Sequence, residues 1–334
     1  MTYDIAILGA TGVVGSAFIS ILEQREFPVG KLYPLASERS VGETIQFRDQ
    51  TIPVLNAADF DFSQAQIGLF SPGAAVSAIY APLAADAGCV VIDNTSQFRY
   101  DPDIPLVVPE VNPEAIADYR NRSIIANPNC STIQLVVALK PIYDAVGIKR
   151  VNVATYQSVS GKGKAGIDAL IHETAHLLNG QPVRPDAFTA QIAFNVIPQI
   201  DEFQDNGYTR EEMKILWETQ KILGDSNIQV NATAVRVPVF YGHSEAVHIE
   251  TEHKITADQA RELLRAAPGI LLLDEGQYPT PAQETEMDAV YVGRVREDIS
   301  HPQGLNLWVV ADNVRKGAAL NAVQIAEILV REYW

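Results

Sequence analysis

The sequence predicts an α/β protein that consists of a parallel-sheet domain and an inserted α+β domain. Residues 1–129 alternate short apolar strands with helical segments, which is the pattern of β-α-β units. Residues 130–312 contain long strands, several of which alternate apolar and polar residues, with helices between them. Residues 313–334 are amphipathic and helical. We therefore predict one domain from 1–129 plus 313–334 and a second from 130–312.

The first domain begins with a strand, a glycine loop and a helix. The strand is DIAIL, three glycines follow it, and VVGSAFISILEQREF has apolar residues at helical spacing. The further predicted strands are KLYPLAS, QIGLF, CVVID and SIIANP, and the helical segment AAVSAIYAPLAADAG separates QIGLF from CVVID. Because strands joined through helices lie parallel, we predict a Rossmann-like sheet with helices on both faces.

The second domain has a different pattern. Its predicted strands are RVNVATYQSVSG, IQVNATAVRVPV, EAVHIETEHKI, AVYVGRVRED and LNLWVVADN. Helices are predicted at about 163–179, 209–223 and 257–266. This pattern predicts a mixed or antiparallel sheet with helices on one side.

Charge and composition exclude several classes of protein. The net charge of −16 would repel a phosphate backbone, so we expect no nucleic-acid partner. No apolar stretch approaches the ~20 residues of a membrane-spanning helix, and the N-terminus has no basic lead of a signal peptide. Two cysteines in 334 residues do not form a disulfide framework, which favours a cytoplasmic protein.

The glycine loop predicts a dinucleotide site. Gly9, Gly12 and Gly15 directly follow the first strand. Glycine lets the backbone approach a pyrophosphate, and the N-terminus of the next helix favours its negative charge. The spacing is not the usual G-x-G-x-x-G, so a tight strand-helix turn remains the alternative interpretation.

The residues after the second strand predict which dinucleotide binds. The stretch is Ser37-Glu38-Arg39-Ser40. An arginine between two hydroxyls suits a 2′-phosphate, because guanidinium pairs bidentately with phosphate. We therefore predict NADP(H), although Glu38 is also compatible with a ribose hydroxyl.

Cys130 has the surroundings of a nucleophile. In NPNCST it ends a strand and opens a helical run, so the helix dipole stabilises thiolate over thiol. The alternative is a small buried residue, which is how we interpret Cys89 within AGCVVID. The polar neighbours of Cys130 favour the nucleophile.

A base and a carboxylate ligand are predicted from RVPVFYGHSEAV. His243 follows a glycine turn at a loop tip, where a side chain can face a ligand. A lone histidine is more often structural than catalytic. Arg236 lies in an otherwise small and apolar strand, so its charge requires a partner, and a substrate carboxylate would be one.

The stretch His172-Glu173-Thr174-Ala175-His176 matches the H-E-x-x-H pattern of zinc peptidases. The extended pattern would need glycine at 179 and histidine at 182, where the chain has Asn179 and Pro182. Thermolysin-like enzymes take a glutamate from a later helix as third ligand, and the sequence leaves this alternative open. Zincin-type folds, however, do not begin with a strand, a glycine loop and a helix. We therefore interpret HETAH as an ordinary helix face and predict no metal site.

Together the motifs resemble one family, the aspartate-β-semialdehyde dehydrogenases. In chain order the blocks are GATGVVG, ASERSVG, DNTSQFRYDPDIPLVVPEVNP, NPNCST, YQSVSG, EEMKILWETQKIL, RVPVFYGHSEAV and DNVRKGAALNA. They cover essentially the whole chain, and together they are specific. One departure is SPGA at 71–74, where the family usually has SAGG.

The resemblance implies a role for each site residue. Cys130 is the nucleophile, His243 the acid/base, and Gln157 orients the intermediate. Arg236 binds the substrate α-carboxylate and Glu211 its amino group. The other implied contacts are phosphate-binding Arg99 and Lys214 and the cofactor-binding residues Gly9, Thr11, Gly12, Val13, Ser37, Arg39, Ser40, Ser71, Gly73, Asn313 and Lys316.

The implied reaction is NADPH-dependent reductive dephosphorylation of L-4-aspartyl phosphate to L-aspartate 4-semialdehyde through a cysteine thioester, in lysine, methionine and threonine biosynthesis. Phosphate is the other product, and the family resemblance implies a homodimer formed by the second, catalytic and dimerisation domain. One alternative is an N-acetyl-γ-glutamyl-phosphate reductase, whose substrate lacks a free ammonium for Glu211. The other is a non-catalytic paralogue, against which the joint presence of Cys130, Gln157, Arg236 and His243 argues.

Overall fold

The structure is a computed structural model that describes residues 1–334. None of its helices combines the length and apolar character that crossing a membrane requires. The strands are β1 (Tyr3–Leu8), β2 (Val29–Ala36), β3 (Thr44–Phe47), β4 (Gln50–Pro53), β5 (Leu55–Asn56), β6 (Ile67–Phe70), β7 (Val90–Asp93), β8 (Ile124–Ala126), β9 (Ile148–Gln157), β10 (Gln229–Arg236), β11 (His243–Thr251), β12 (Ile270–Leu272), β13 (Val290–Glu297) and β14 (Gly304–Ala311). The α-helices are α1 (Val13–Gln24), α2 (Ala74–Asp86), α3 (Cys130–Val146), α4 (Lys164–Leu178), α5 (Arg210–Leu223), α6 (Ala257–Ala266), α7 (Pro281–Glu284) and α8 (Leu320–Ile328).

The chain forms two compact units. The first comprises Met1–Asn129 and Ala318–Trp334, and the second comprises Cys130–Gly317. This division differs from the predicted boundaries only in residues 313–317.

The first unit contains a parallel sheet of order β5-β2-β1-β6-β7-β8. Strand β1 lies between β2 and β6, so the chain leaves β1 towards one side of the sheet and later returns to the other. In open α/β sheets, ligands bind beyond the carboxyl ends of the strands at such a switch point. This geometry places the glycine loop, which follows β1, where a dinucleotide would bind.

Helix α8 completes the core of the first unit. Phe18, Ile21 and Leu22 of α1 are buried together with Val323 and Ile325 of α8. Burying such side chains stabilises a fold by about 1.5–3 kcal/mol each. The amphipathic C-terminal pattern therefore has its apolar face in this core.

The second unit contains a mixed sheet of order β10-β9-β11-β14-β13-β12. Strands β9 and β10 are parallel, whereas β11 is antiparallel to both β9 and β14. Helices α4, α5 and α6 lie within two residues of their predicted bounds. The α+β interpretation of this part of the sequence is confirmed.

Candidate active site

Three predicted site residues meet at one edge of the mixed sheet. Gln157 ends β9 and Arg236 ends β10, and the two residues are register partners in this parallel pair. His243 begins β11, which runs antiparallel to β9, so it starts where β9 ends. All three side chains are buried. The sheet register therefore brings together residues that are far apart in sequence.

Cys130 is the first residue of α3, as the sequence predicted. Its side chain is only partly buried, whereas Cys89 is buried, and burial raises the pKa of the Cys89 thiol to about 12. A nucleophilic cysteine must form thiolate and be reachable, and a helix N-terminus favours the anion. Gly317 makes room for this residue, because a Cβ at position 317 would lie 3.0 Å from the Cβ of Cys130.

The hydrogen bonds of His243 determine which ring nitrogen carries the proton. The backbone N–H of Ser158 donates to Nδ1 of His243 over 3.1 Å, so Nδ1 is an acceptor. In the neutral ring the proton is then on Nε2, which is buried and has no protein partner. Burial, and secondarily the positive charge of Arg236, lowers the pKa of His243 to about 3. His243 is therefore a neutral imidazole whose Nε2–H is available to a substrate oxygen.

Asn313 holds the loops around His243 in place. Its Oδ1 accepts hydrogen bonds from the Gly242 N–H at 2.8 Å and from the hydroxyls of Ser158 at 3.1 Å and Ser160 at 3.2 Å. The sequence assigned Asn313 to the cofactor. In the structure the amide oxygen of this buried side chain is used by the second unit itself.

Arg236 lies beside His243. Its Nη1 donates to the Ser158 carbonyl over 2.6 Å. Burial lowers the pKa of Arg236, while Glu211 and Cys130 raise it. A Cβ at Gly161 would lie 2.8 Å from Nη1 of Arg236 and 3.6 Å from Nε2 of His243, so glycine leaves the space between them open. The missing side chain at position 161 therefore leaves these two polar groups uncovered on that side.

Gln157, Glu211 and Lys214 form a chain of polar contacts in which Gln157 and Glu211 are buried and Lys214 is half-buried. Nε2 of Gln157 donates to Oε1 of Glu211 over 3.0 Å, and Nζ of Lys214 lies 3.0 Å from Oε2 of Glu211. Lys214 also pairs with Asp201 at 2.7 Å. Burial lowers the pKa of Lys214, but the two carboxylates outweigh it and the net shift is upward. Lys214 is therefore a cation that Glu211 and Asp201 hold in place.

Arg99 lies in the first unit, where it is buried and its Nη2 donates to the Asn94 carbonyl over 2.9 Å. Nearby Asp93 accepts from Ser77 at 2.6 Å and from the Thr95 hydroxyl at 2.7 Å. Burial raises the pKa of Asp93, against these hydrogen bonds and the charge of Arg99.

The glycine loop of the first unit fits a dinucleotide phosphate. Gly9 has a positive φ of 86°, and a Cβ there would lie 3.0 Å from the Ser71 backbone. A Cβ at Gly15 would lie 2.1 Å from the Gly9 carbonyl oxygen, so only glycine fits. Helix α1 begins at Val13 with Gly12 as its N-cap, and the buried hydroxyl of Ser71 has no protein partner. This cradle leaves backbone and hydroxyl donors for an anion.

The other predicted cofactor residues of the first unit surround the same loop or follow adjacent strands. The Thr11 and Ser40 hydroxyls are 3.4 Å apart, and Ser37 caps the short helix that contains exposed Arg39. Gly73 has a φ of 96° and is the N-cap of α2. Lys316, in the second unit, is buried.

The HETAH stretch has a structural role on α4. Oε2 of buried Glu173 accepts from the backbone N–H groups of Ile192 at 2.7 Å and Ala193 at 2.9 Å. His172 and His176 are exposed beside a cavity of about 820 Å³. No group of three or more potential metal ligands occurs in the chain.

Sequence reasoning missed the residues that shape the site without carrying charge. Ser158 orients His243, Gly161 opens space beside Arg236, and Gly317 makes room for Cys130. The only available signal was that each lies within a block such as YQSVSG or DNVRKGAALNA. Their roles depend on contacts between distant parts of the chain.

A parallel sheet with a glycine loop at its switch point, together with a partly exposed cysteine at a helix N-terminus, is the arrangement expected of an oxidoreductase that uses a nicotinamide dinucleotide. Residues 4–119 match the family described as "Semialdehyde dehydrogenase, NAD binding domain", and residues 139–316 match "Semialdehyde dehydrogenase, dimerisation domain". The chain belongs to the aspartate-semialdehyde dehydrogenase family. The predicted family, fold class and cofactor class are thus confirmed.

Relatives that align with the full length of the chain support this assignment. Aspartate-semialdehyde dehydrogenase of Shewanella violacea is 63% identical over 334 residues, with 99% of each chain covered. A structure of aspartate semialdehyde dehydrogenase II of Vibrio cholerae complexed with ASA is 63% identical with a TM-score of 0.99, covering 100% of both chains. A structure of the Candida albicans enzyme with NADP is 29% identical with a TM-score of 0.79, covering 99% of each chain.

Proposed function

We propose that this chain catalyses the reversible NADPH-dependent reductive dephosphorylation of L-4-aspartyl phosphate to L-aspartate 4-semialdehyde, a step in lysine, methionine and threonine biosynthesis. The observation that carries the proposal is the convergence of Gln157, Arg236 and His243 at one sheet edge of the unit that begins with Cys130. The names of the similar proteins support the substrate.

Cys130 performs the covalent chemistry. Its thiolate attacks the acyl carbon of aspartyl phosphate, and phosphate leaves as the thioester forms. When bound, NADPH supplies the hydride that reduces the thioester carbon. Collapse of the resulting hemithioacetal breaks the carbon–sulfur bond, releases the aldehyde and restores the thiolate.

His243 stabilises the oxygen of this intermediate, and Gln157 orients the intermediate. The Nε2–H of His243 donates to the hemithioacetal oxygen, because Nδ1 is already occupied by the Ser158 N–H. Because the ring is neutral and its Nδ1 is occupied, His243 stabilises the developing oxyanion by hydrogen bonding, and the loss of one such donor costs roughly 10²–10³ in kcat. Gln157 is held by Thr155 at 3.0 Å and Glu211 at 3.0 Å, so its amide is oriented before substrate binds.

Arg236 and Glu211 select the amino-acid end of the substrate. The guanidinium can pair with both oxygens of the α-carboxylate. Glu211 is a buried carboxylate that faces cationic Lys214 and can also receive the substrate ammonium. An N-acetylated substrate would bring no charge for Glu211, which argues against an N-acetyl-γ-glutamyl-phosphate reductase. Arg99 and Lys214 are assigned to the phosphate.

For the cofactor we propose the glycine cradle with its neighbours. Gly9, Gly12 and Val13 would hold the pyrophosphate, with the Ser71 hydroxyl as a donor. Arg39 would pair with the 2′-phosphate. The remaining assigned contacts are Thr11, Ser37, Ser40, Gly73, Asn313 and Lys316.

We further propose that the enzyme is a cytoplasmic homodimer formed through the second unit. The match of residues 139–316 to a dimerisation domain supports this assembly. Light scattering coupled to size-exclusion chromatography measures it directly, and a monomeric mass at micromolar concentration would contradict it.

The decisive assay is phosphate-dependent reduction of NADP⁺ with aspartate semialdehyde, followed by NADPH absorbance. We expect turnover that requires phosphate and disappears in Cys130→Ser. A Glu211→Gln variant should lose turnover of this substrate, because it lacks the charge that faces the ammonium. Better reduction of N-acetyl-γ-glutamyl phosphate than of aspartyl phosphate would contradict the proposal, and absence of turnover with both would favour a non-catalytic paralogue.

A further inference from the structure

Glu245 is a buried carboxyl group to which the proposed reaction gives no role. It lies on β11 two residues after His243, so both side chains are on the same face of the sheet. Its register partners are Thr155 on β9 and Val309 on β14, both buried. Neither of its oxygens has a hydrogen-bond partner. Burying an unpartnered polar group is costly, so its presence requires an explanation.

Gln134 connects this carboxyl group to the active site. It lies on α3 four residues after Cys130, one turn along the same helix face. Its Nε2 donates to the backbone carbonyl of His243 at 3.4 Å, and its Oε1 has no partner. Burial raises the pKa of Glu245 well above its ordinary value, and the adjacent amide of Gln134 opposes this shift. The Gln134 side chain is therefore in contact with both Glu245 and the His243 backbone.

The unpartnered atoms of these two side chains are complementary if Glu245 is protonated. A neutral carboxylic acid has one O–H donor, and Oε1 of Gln134 is an acceptor that lacks a donor. An ionised carboxylate could not donate to that oxygen. No charged side chain is among the groups that shift the pKa of Glu245, and burial outweighs the opposing effect of the Gln134 amide, so the neutral acid is favoured.

We propose that Glu245 is a positioning residue for the reaction proposed above: as a neutral acid it donates to Gln134, which holds the His243 backbone against the first turns of the helix that begins at Cys130. Glu245 itself touches no reacting atom. Its effect is on the placement of the His243 ring relative to the Cys130 sulfur. This inference rests on the proposed role of His243 as donor to the intermediate.

The test compares a neutral isostere with an apolar residue of similar size. Glu245→Met removes the donor to Gln134, and Glu245→Gln keeps a neutral hydrogen-bonding side chain. A misplacement of about 1 Å can cost roughly 10²-fold, so Glu245→Met should lower kcat by about 10- to 100-fold. The KM for aspartate semialdehyde should change by less than about threefold, since ground-state binding groups are untouched. Glu245→Gln should restore kcat to within about threefold of wild type.

Val247→Ala is the matched control. Val247 is the next inward-facing residue of β11 and is buried in the core. This substitution should lower the unfolding temperature without changing kcat, because it removes packing but leaves Gln134 in place. A loss of kcat in this control equal to that of Glu245→Met would overturn the proposal, since general destabilisation would then explain both.

A crystal structure of Glu245→Met provides a readout that needs no turnover. We expect the Gln134 side chain to leave the His243 carbonyl and the His243 ring to shift. Should Glu245→Met not fold, Gln134→Met breaks the same connection and should reproduce the loss of kcat and the ring shift. An unmoved ring, or equal kcat in the Glu245→Met and Glu245→Gln variants, would refute the positioning role. Wild-type turnover of aspartate semialdehyde separately decides the proposed function.

Discussion

Replacing His243 by glutamine should make the second unit less sensitive to acid. Burial, and secondarily Arg236, lowers the pKa of His243 to about 3 from an ordinary value of 6.5. Below pH 6.5 the unfolded chain therefore binds a proton that the folded chain does not. Folding stability is lost as the pH falls from 6.5 towards 3, and the loss stops growing only below the folded pKa, where both states bind the proton.

The size of the effect follows from linkage. Each pH unit within this window changes the unfolding free energy by about 1.4 kcal/mol. Between pH 7 and pH 5 the His243 contribution to wild-type stability should therefore fall by about 2 kcal/mol. The glutamine variant lacks this proton uptake, so the stability difference between the two proteins should shift by that amount in favour of the variant.

Urea unfolding followed by tryptophan fluorescence measures this shift. Trp217 and Trp308 lie in the second unit and Trp334 in the first, so a Trp334→Phe background reports on the second unit alone. Protein concentration must be equal in all samples, because dimerisation shifts apparent stability. The background variant with His243 intact is the reference at both pH values. Parallel stabilities from pH 7 to pH 5 would refute the assignment of His243 as a buried neutral imidazole.

Four further predictions concern the other charged or reactive groups. Cys130→Ser should fold normally by circular dichroism but abolish NADP⁺ reduction, because an alkoxide is far harder to form than a thiolate; activity within about tenfold of wild type would remove the nucleophile assignment. Arg39→Ala should raise the Kd for NADPH much more than that for NADH in fluorescence titrations, since only NADPH carries a 2′-phosphate; equal losses would contradict the phosphate pocket. Arg236→Lys should lower kcat/KM by roughly 10²-fold through misorientation while leaving NADPH binding intact, and an unchanged kcat/KM would show that no bidentate pairing occurs. Glu245→Gln should gain stability over wild type as the pH rises above 4.5, by up to about 1.4 kcal/mol per pH unit. The reason is that burial raises the pKa of Glu245, so the folded wild type retains a proton that the unfolded chain has lost. A pH-independent stability difference in urea unfolding would mean that Glu245 is ionised in the fold.

Elements with strong local signals could be predicted from the sequence. Helix α5 begins where Thr209 and Glu212 form a capping box, and it ends at Gly224 in the left-handed region. The β3–β4 hairpin was not predicted, because its strands have four residues each and little apolar character. Its turn contains Arg48 at a positive φ of 52°. Glycine or asparagine at that position would have indicated a turn, but arginine does not.

Site residues were predictable as individuals, but their partners were not. Cys130 was recognisable from its place at a helix start, which is a local property. Asn313 was assigned to a cofactor because of its block, yet its Oδ1 accepts from Gly242 and from Ser158, 155 residues away. Such contacts depend on the order and register of strands. A single sequence does not predict which residues of two strands are register partners.

The period of strand β11 places Glu245 on the same face as His243. In β11 the inward-facing residues His243, Val247 and Ile249 are separated by even numbers of positions, and Glu245 has the same parity. Periodicity alone therefore predicts that this carboxyl group points into the core beside His243. A glutamate at such a position is destabilising unless it is neutral and hydrogen-bonded. Glu245 lies next to His243 and not in a distant part of the core. A role in positioning His243 therefore explains the presence of this glutamate better than packing does.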